Sequence, residues 1–527
     1  MMQKLTGLRH EFHHGRMVRA YVTRPREICE MLDSAVGRAA DRIALVDGAV
    51  RMSYQSLSAA VQQTATVFAT KGIRQGSRIG LLLANRADFV VALLAGARLG
   101  AICVPMNIRQ KRPETAHMLA DSGASLLVYE ADLYGDIPDS AEVPAVQHRI
   151  SISDDARIWN LAIDDEEFLP SGPVDEDDPV CILYTSGTTG RPKGAVLTHF
   201  GVVTSCIGAV DAMGLADGEV AVLTVPLSHV TGIVLNLMTV LHVAGTIVLQ
   251  RTFKAKQFID IARIEAMTYS SLVPAMLVLC LREPGHAMSD LRSWRVCAFG
   301  GAPMPASVVA ELAMSNPGLS LCNIYGATET TSPSVIMPAA EATNRRGHVG
   351  VPLPYCDLFI LDEHGHEIKP GERGEIWIAG PHVVSRYWNN ESADAAEFSG
   401  GFWRSGDIGA MDDDGFVQLH DRSKDVINRG GYKIYSVEVE NALMAHPGVI
   451  EVAVVGRPCP VLGERVHAFV VLGADADADA LRQWCAERLS DYKVPDRVEV
   501  MAGSLPRNAN GKVLKRDLRI MLSGRST

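Results

Sequence analysis

The sequence predicts an α/β protein with more than one domain, and three observations support this prediction. The 527 residues exceed the size at which one hydrophobic core stops growing, about 250–300 residues. Short apolar runs rich in β-branched residues alternate with helical patterns over most of the chain, which is typical of βαβ units around a largely parallel sheet. From about Val351 the pattern changes to short strands between turn signals, which is typical of antiparallel pairs.

The N-terminal part is predicted to form layered βαβ sheets. Its first clear unit runs through strand Arg78–Leu83, helix Phe89–Leu99 and strands Ala101–Pro105 and Ser125–Tyr129. Each strand is short and apolar, as expected for strands that helices cover on both faces.

A long uncharged stretch, from Ala221 to Gln250, is predicted to lie in the core of this domain. It contains no Asp, Glu, Lys or Arg, and about 20 apolar residues suffice to cross a bilayer. A proline and several polar residues interrupt it, however, and its pattern predicts strand Val220–Val225, helix Ile233–His242 and strand Thr246–Leu249. We therefore expect a buried α/β segment and no transmembrane segment.

The remaining elements predict a small antiparallel subdomain and a separate C-terminal domain. Antiparallel strands are predicted at Leu358–Leu361, Gly374–Ala379 and Phe416–Leu419. The C-terminal residues predict an α+β domain with strands near Val449–Gly456 and His467–Leu472 and helices near Ser436–Ala445 and Asp479–Leu489. The alternating Ala-Asp repeat at residues 474–480 is interpreted as a solvated helix start. We place the boundary near Asp421, which gives domains of residues 1–421 and 422–527.

Composition and charge exclude several classes of function. The formal net charge of −11 argues against nucleic-acid binding, which requires a basic surface. The ten cysteines are scattered without a C-x-x-C pair, so free thiols in a reducing cytosol are favoured over disulfides or a zinc site. Residues Met1 to Met17 include His and Arg but no apolar core of a signal peptide. We therefore expect a cytoplasmic protein without a nucleic-acid partner.

The segment Tyr184–Gly194 is predicted to hold phosphates. Its sequence, Tyr-Thr-Ser-Gly-Thr-Thr-Gly-Arg-Pro-Lys-Gly, follows the apolar run Val180–Leu183. The glycines allow backbone N–H groups to turn toward an anion, the hydroxyls add donors and the lysine adds charge. The candidate phosphate-binding residues are Thr185, Ser186, Gly187, Thr188, Thr189, Gly190 and Lys193. The spacing is not that of a Walker A loop, because Lys193 lies three residues after Gly190 and is followed by glycine.

Five further segments supply groups that suit a nucleotide. Asn323–Glu329 (Asn-Ile-Tyr-Gly-Ala-Thr-Glu) offers an aromatic ring for stacking a base and a carboxylate for a hard cation. Gly300–Pro303 follows an apolar strand, so its backbone can approach a flat ligand closely. Trp403–Asp407 places an acid where it could accept hydrogen bonds from ribose hydroxyls. Asp421–Arg422 and Leu505–Lys512 add cations.

These motifs, in this order and spacing, resemble the acyl-adenylate-forming superfamily, which includes acyl-CoA synthetases, nonribosomal adenylation domains and firefly-type luciferases. The resemblance extends over nearly the whole chain, from Met52–Leu57 and Leu99–Pro105 through Pro226–His229 to Lys512. It implies a two-step reaction, in which ATP and a small-molecule carboxylic acid first form an acyl-adenylate and coenzyme A then accepts the acyl group. It also implies a large N-terminal domain and a small, mobile C-terminal domain.

The resemblance implies a role for each candidate residue. The loop from Thr185 to Lys193 would hold the β- and γ-phosphates of ATP, while Glu329 and Thr188 would bind Mg²⁺. Lys512 would contact both the substrate carboxylate and the α-phosphate, and would neutralise charge as the two anions approach each other. The remaining nucleotide-binding residues are Gly301, Ala302, Pro303 and Tyr325 around the adenine, Asn323 and Gly326 in the same segment as Tyr325, Thr328 at the α-phosphate, and Asp407 and Arg422 at the ribose.

The same resemblance assigns the second step to the C-terminal domain. Gly430 and Gly431, within Arg429–Tyr435 (Arg-Gly-Gly-Tyr-Lys-Ile-Tyr), leave room for the pantetheine arm of coenzyme A, and Lys433 lies in the same segment. Lys424 occupies the hinge position, about which the small domain would rotate to remove the catalytic lysine from the adenylate. The open alternative for Arg429–Tyr435 is a tight turn between strands.

The acid to be activated is predicted from the residues around the acyl pocket. By position these are Val230 to Val234, Gly300, Gly326 and Ala327, most of which are small or apolar and none of which is Lys or Arg. We therefore expect an apolar or aromatic monocarboxylic acid. His229 is interpreted as a gate of this pocket that assists closure, and a buried, hydrogen-bonded histidine is the open alternative.

Other functions stay open at this stage. An acyl-AMP ligase or an amino-acid-activating adenylation enzyme would deliver its product to a carrier protein instead of coenzyme A. A non-catalytic nucleotide sensor is disfavoured, because buried charges cost free energy when unpaired and a sensor would gain nothing from five of them. These charged residues are Lys193, Glu329, Asp407, Arg422 and Lys512. The sequence also leaves a homodimer open.

Overall fold

Helices and strands alternate along most of the chain, as the sequence predicts. The computed structural model describes residues 7–162, 173–185, 192–285, 288–345, 347–473, 477–508 and 513–523. These residues confirm the α/β class. The chain divides into two units, one of residues 1–304, 308–358 and 378–404 and one of residues 305–307, 359–377 and 405–527. The boundary predicted between residues 421 and 422 lies at the end of strand Val417–Arg422 and stays a prediction.

The first sheet of the first unit carries the predicted phosphate-binding segment at its edge. Its strands run in the order Lys193–Thr198, Pro179–Thr185, Ile102–Pro105, Arg78–Leu82, Leu126–Glu130 and His148–Ile152. All neighbouring pairs are parallel except the first, which is an antiparallel hairpin. Ile79, Leu81 and Leu127 are fully buried, which explains why these strands read as continuous apolar runs. The predicted elements are confirmed, with their ends shifted by one or two residues.

The second sheet of the first unit is parallel at its centre. In order, its strands in this unit are His348–Pro352, Val335–Ile336, Ser320–Tyr325, Val296–Gly300, Tyr269–Leu272, Val220–Leu223, Thr246–Leu249, Ile43–Asp47 and Val50–Ser53. The strands from Ser320–Tyr325 to Ile43–Asp47 are all parallel. Their carboxyl ends therefore meet at one edge of the sheet, which is where ligands bind in open α/β sheets.

Helices connect these strands, and a short hairpin precedes them. The hairpin pairs Leu8–His13 with Arg16–Tyr21. The helices of this part of the chain are Ile28–Ala39, Tyr54–Thr70, Ala87–Arg98, Arg112–Ser122, His199–Met213, Ala255–Ile264, Pro274–Leu281, Ala306–Ser315 and Glu391–Glu397.

The uncharged stretch Ala221–Gln250 is a buried strand–helix–strand segment, as predicted, but its helix differs from the expected one. The helix starts at Thr231, and its first part is a π-helix, Thr231–Met238, which continues as the α-helix Thr239–His242. The two flanking strands pair with each other in parallel. Among the residues that the structure describes, no helix combines the length and the apolar character needed to cross a membrane.

The C-terminal part of the chain forms a separate α+β arrangement, as predicted. Its strands, in hydrogen-bonded order, are Tyr432–Ile434, Ile427–Arg429, Gly463–Leu472 and Val449–Cys459, with Arg497–Val500 beside Gly463–Leu472. Its helices are Ser436–Met444, Ala478–Ala486 and Lys515–Ser523. The helix start in the Ala-Asp repeat is confirmed, because Asp477 caps the helix by accepting a hydrogen bond from the N–H of Ala480.

Another set of strands lies earlier in the chain. Asp357–Leu361, Gly374–Ala379, Phe402–Met411 and Val417–Arg422 are hydrogen-bonded neighbours in this order, and Phe398–Ser399 pairs with Phe402–Met411. The last two are antiparallel. The three strands predicted in this region are therefore present. All ten cysteines are free, as expected, and nine of them are buried.

Candidate active site

The described ends of the predicted phosphate-binding segment lie on two paired strands at the edge of the first sheet. Thr185 ends one strand, Lys193 starts the next, and the two residues face each other in the pairing register. The chain requires glycine at position 194, because a Cβ there would lie 2.6 Å from Ile182 Cγ2. The candidates Ser186, Gly187, Thr188, Thr189 and Gly190 lie outside the described residues, so their phosphate contacts stay predictions.

Lys193 is buried at the base of this loop, and its ammonium group has two partners. The side chain is 8% exposed. Nζ donates to Oε1 of Glu397 and lies 4.3 Å from the centroid of the Tyr387 ring, a distance that suits a cation–π contact. An ion pair and an aromatic face therefore hold the lysine in place.

Glu329 reaches the base of the loop from the second sheet. It lies on the single 3-10 turn Thr328–Thr330, which follows strand Ser320–Tyr325, and it is buried. Its Oε1 accepts hydrogen bonds from Thr185 Oγ1 at 3.3 Å and from the Tyr387 hydroxyl at 3.0 Å. A carboxylate, a hydroxyl and an ammonium group thus converge, and together they suit a hard cation and a polyphosphate.

The turn that carries Glu329 has an unusual backbone. Thr331 and Ser332 adopt φ angles of 48° and 25°, a region that residues with a Cβ rarely occupy. A Cβ at position 326 would lie 2.9 Å from Ser332 Oγ and 3.2 Å from Ser332 Cα, so a side chain there would require Ser332 to shift. Strained backbone of this kind is concentrated at functional sites.

The predicted adenine-binding residues lie at the carboxyl ends of two adjacent parallel strands. Gly301, Ala302 and Pro303 follow Val296–Gly300 and are exposed, whereas Tyr325 ends the neighbouring strand and is buried. Asn323 lies on that strand, and its side chain donates to the carbonyl of His348. The topology therefore brings these candidates to one edge of the sheet.

Gly300 is glycine for a reason that lies within the sheet. A Cβ at this position would lie 2.2 Å from the carbonyl oxygen of Ile324, and the approach of the Gly300–Pro303 backbone to a flat ligand stays a prediction. The neighbouring strand therefore excludes a side chain here. Gly301, with a φ of 79° and open space around it, makes the turn that follows.

His229 lies two residues before the π-helix Thr231–Met238. It follows the strand Val220–Leu223, and its Nδ1 accepts a hydrogen bond from the N–H of Thr231 at 3.2 Å. The ring is half-buried. The hydrogen bond of the alternative is thus observed without full burial, and the gating role stays a prediction. Of the predicted acyl-pocket residues, Val230, Ile233 and Val234 are buried.

The second unit brings the predicted ribose-binding pair together. Asp407 and Arg422 face each other on adjacent strands, and Arg422 Nε lies 3.2 Å from Asp407 Oδ1. Lys424 lies just beyond, on the 3-10 turn Ser423–Asp425, where burial and the nearby Arg422 lower the pKa of its ammonium group.

The glycine pair of the second unit forms a turn between strands Ile427–Arg429 and Tyr432–Ile434. Gly430 and Gly431 have φ angles of 58° and 90°, and the Gly430 N–H donates to the carbonyl of Leu462 at 2.7 Å. Lys433 is exposed on the second of these strands. The tight turn between strands is therefore observed, and the contact with coenzyme A stays a prediction. Lys512 lies outside the described residues.

Sequence reasoning missed Tyr387 and Glu397. Residues 386–388 run beside strand Lys193–Thr198, and the Trp388 N–H donates to the carbonyl of Gly194 at 2.7 Å. Helix Glu391–Glu397, capped by Asn390, then returns Glu397 to within 2.5 Å of the Tyr387 hydroxyl. The aromatic pair Tyr387–Trp388 before a helix cap is the one local signal, and nothing in its spacing relates it to residue 193.

The environment of Tyr387 keeps its hydroxyl protonated. Burial, followed by the neighbouring carboxylates of Glu329 and Glu397, raises the pKa of Tyr387 well above its usual value. Its hydroxyl is therefore a hydrogen-bond donor at neutral pH.

A second carboxylate cluster, near the N-terminal hairpin, is a salt-bridge network. Ligand atoms of Glu11, His13 and Glu176 all lie within 4.8 Å of one another. The buried Arg24 donates to Glu11 at 2.7 Å and to Glu176 at 2.8 Å, and it holds the pKa of Glu11 well below its usual range. A guanidinium group already supplies the positive charge that a metal ion would bring.

Comparison with known proteins places these features in a family. Residues 32–388 match the family model described as AMP-binding enzyme, and residues 438–512 match the AMP-binding enzyme C-terminal domain. The chain is 35% identical to feruloyl-CoA synthase of an Amycolatopsis species over 480 residues, 90% of this chain and 94% of that protein. It is 33% identical to indoleacetate–CoA ligase of Aromatoleum aromaticum over 504 residues, 94% of this chain and 98% of that protein.

A solved structure agrees with these matches. O-succinylbenzoate coenzyme A synthetase from Bacillus subtilis, in complex with ATP and a magnesium ion, has a TM-score of 0.84 and 30% identity, covering 94% of this chain and 100% of that chain. The fold, the order of the motifs and the full-length similarity lead to one assignment: the chain belongs to the AMP-binding enzyme family, in its acyl-CoA synthetase branch.

Proposed function

We propose that this chain is an ATP-dependent carboxylic acid–CoA ligase that activates an apolar or aromatic monocarboxylic acid. The observation that carries the proposal is the meeting of Lys193, Thr185 and Glu329 at the base of the phosphate-binding loop. Relatives that are named CoA ligases match the chain along most of its length, which supports the same reaction here. The cosubstrates are ATP with Mg²⁺ and coenzyme A.

The first half-reaction joins the acid to AMP. A carboxylate oxygen of the acid attacks the α-phosphorus of ATP, and pyrophosphate leaves. Glu329 and Thr188 would hold the Mg²⁺, which neutralises the charge of the phosphates, and Lys193 would contact the polyphosphate. Lys512 would offset the repulsion between the two reacting anions.

The second half-reaction transfers the acyl group to sulfur. The thiol of coenzyme A attacks the acyl carbon, the bond to AMP breaks, and the thiol proton is released. Gly430 and Gly431, which have no side chains and form a turn, would line the path of the pantetheine arm. We also retain the domain boundary at residue 421, the hinge at Lys424, a cytoplasmic location and a possible homodimer as proposals.

The acid is proposed to have an aromatic or apolar body. Val230, Ile233 and Val234 are buried apolar residues beside His229, and apolar surroundings of this kind favour a ligand without a second charge. The names of the relatives, feruloyl-CoA synthase and indoleacetate–CoA ligase, refer to aromatic acids. Aromatic acids therefore come first in the test panel.

The test is acid-dependent pyrophosphate exchange across a panel of aromatic and aliphatic acids, followed by product analysis with and without coenzyme A. We expect AMP and a thioester to form with at least one aromatic acid. Adenylate that accumulates and transfers to a carrier protein, but not to coenzyme A, would support an acyl-AMP ligase. ATP binding without acid-dependent AMP would support a nucleotide sensor.

The division of labour between the two half-reactions is tested with Lys512→Ala. We expect adenylation to fall more than about 10²-fold, while thioester formation from supplied acyl-AMP is largely retained, because the lysine serves the first step. Pyrophosphate exchange and single-turnover thioester formation measure the two steps separately. Equal losses in both steps would contradict the assignment.

A further inference from the structure

Two carboxylates share one hydroxyl hydrogen beside the phosphate-binding loop. The Tyr387 hydroxyl lies 3.0 Å from Glu329 Oε1 and 2.5 Å from Glu397 Oε2. A hydroxyl carries one hydrogen and an ionised carboxylate only accepts, so Tyr387 serves one carboxylate at a time. The tyrosine is 1% exposed, so its place between the two groups is fixed by packing.

The cluster of Lys193, Glu329, Tyr387 and Glu397 contains more acidic than basic groups. With both carboxyl groups ionised, two negative charges face one ammonium group, and that ammonium group already forms an ion pair with Glu397. A bare polyphosphate would add negative charge to a mostly buried place, where such charges repel strongly. A polyphosphate that carries a divalent cation brings the missing positive charge with it.

We infer that Glu397 is a specificity-determining residue, which makes this site favour cation-bound polyphosphate over bare polyphosphate. It acts in two ways. Its ion pair with Lys193 prevents the ammonium group from attracting a bare polyphosphate, and its Oε2 accepts the Tyr387 hydrogen, which leaves Glu329 Oε1 available to a cation. The inference rests on the proposed function, because ATP is the polyphosphate expected here.

The structure shows how the chain makes this arrangement possible. Tyr387 is held beside the loop by the bridge to Ala195 and by the hydrogen bond from its N–H to Asp394 Oδ1 at 2.6 Å. Asp394 and Glu397 lie on the same helix, Glu391–Glu397, so the helix sets the position of the tyrosine and of its acceptor together.

The direct test is Glu397→Gln, which keeps the size of the side chain and an acceptor oxygen but removes the charge. Calorimetry on the full chain would measure the Kd of ATP with excess EDTA and the Kd of ATP with excess Mg²⁺. We expect the preference for the Mg²⁺ form, expressed as the ratio of the two constants, to fall about tenfold because bare ATP binds more tightly. Glu391→Gln, at the exposed start of the same helix, is the matched control and should leave the ratio unchanged.

Two more variants separate the two ways of acting. Glu397→Asp retains the charge and should keep the ratio within about threefold of the wild-type value. Tyr387→Phe retains the ring over Lys193 but removes the shared hydrogen, so Glu329 Oε1 stays available to a cation without help from Glu397. This variant should therefore not weaken the binding of ATP with Mg²⁺, and a weakening would overturn the second way of acting.

The outcomes distinguish this inference from the proposed function. If Glu397→Gln leaves the ratio unchanged, or weakens both forms of ATP equally, Glu397 has a structural role and the inference is wrong. If the wild-type protein forms acyl-adenylate but Glu397→Gln leaves the ratio of the two Kd values unchanged, only the inference is overturned. A wild-type protein that forms no AMP with any acid would overturn the proposed function instead.

Discussion

Glu27 shows how burial sets the charge of a single residue. It precedes helix Ile28–Ala39, and its Oε2 is buried without a hydrogen-bond donor among the described residues. Burial, opposed by Arg98 and aided by Glu30 and Asp33, raises the pKa of Glu27 to about 7. The folded state therefore binds this proton more tightly than the unfolded state does.

The sign of the pH effect follows from the raised pKa. The contribution of Glu27 to stability is fully present below the ordinary glutamate pKa of 4.5 and is lost as the pH rises through about 7. Glu27→Gln should therefore stabilise the protein at pH 8, by about 1–2 kcal/mol once partial exposure is allowed for, and by much less at pH 5. Urea unfolding at the two pH values measures this. An equal effect at both would show that the carboxyl group is not perturbed.

At the scale of the element, three side chains, one from the helix itself and two from beyond it, donate hydrogen bonds to carbonyls of the π-helix Thr231–Met238. A π-helix pairs each carbonyl with the N–H five residues later, so different carbonyls lack a backbone partner than in an α-helix. Asn236 Nδ2 donates to the carbonyl of Thr231, Thr239 Oγ1 to that of Val234, and the Tyr269 hydroxyl to that of Leu235. π-helical turns of this kind are frequent at functional sites, and this one carries the predicted acyl-pocket residues.

The π-helix also depends on a close backbone contact at Gly232. A Cβ at this position would lie 2.2 Å from the carbonyl oxygen of Pro226, so Gly232→Ala must move the helix or the turn before His229. We expect a loss of about 1–3 kcal/mol in unfolding free energy and an altered ranking of acids in pyrophosphate exchange.

Gly135→Ala is the control for this substitution, because a Cβ at position 135 meets nothing within 4 Å. It should change stability by no more than about 0.5 kcal/mol. A Gly232→Ala protein with the stability and acid preference of the wild type would show that the contact at Pro226 does not constrain this segment.

At the scale of the whole molecule, one chain must serve two half-reactions, and the proposed hinge is the 3-10 turn Ser423–Asp425. Arg519 holds this turn from within the second unit, since its Nη2 donates to Asp425 Oδ1 at 2.6 Å and to the carbonyl of Lys424 at 3.3 Å. Val426 N–H donates to the carbonyl of Arg422 at 3.1 Å. A change of orientation at the hinge has to alter the φ and ψ angles of these few residues.

Lys424→Pro should restrict that change, because proline fixes φ near −65° and disfavours the helical region for the residue before it. We expect the overall rate to fall more than about tenfold while one half-reaction keeps most of its rate. Separate measurements of pyrophosphate exchange and of thioester formation from acyl-AMP reveal this. Lys424→Ala, which leaves the backbone free, should affect the two steps much less unequally.

Local patterns sufficed for many elements. The strands around Ile79 and Leu127 could be predicted because a buried parallel strand is a short continuous apolar run, and that property depends on the strand itself. The strand before Thr185 could likewise be predicted from the apolar run Val180–Leu183, whereas its pairing with the strand that starts at Lys193 came only from the structure. The winding of the helix at Thr231 could not be predicted, because the residues from Gly232 to Met238 are all buried and therefore show no periodicity that would distinguish a π-helix from an α-helix. The hydrogen bonds from Asn236, Thr239 and Tyr269 to its carbonyls are visible only in the folded structure.

The sequence by itself determined the α/β class and the family resemblance, and it predicted Lys193 and Glu329 as site residues, because these inferences depend on periodicity and on motifs within short stretches. The tertiary structure alone decided that Tyr387 and Glu397 join them, and that Gly300 is required by its neighbouring strand. Lys193 and Glu397 are separated by 204 residues, and the packing of the strands and helices that carry them brings them together. No local pattern encodes such a contact, because its geometry exists only after the whole unit has folded.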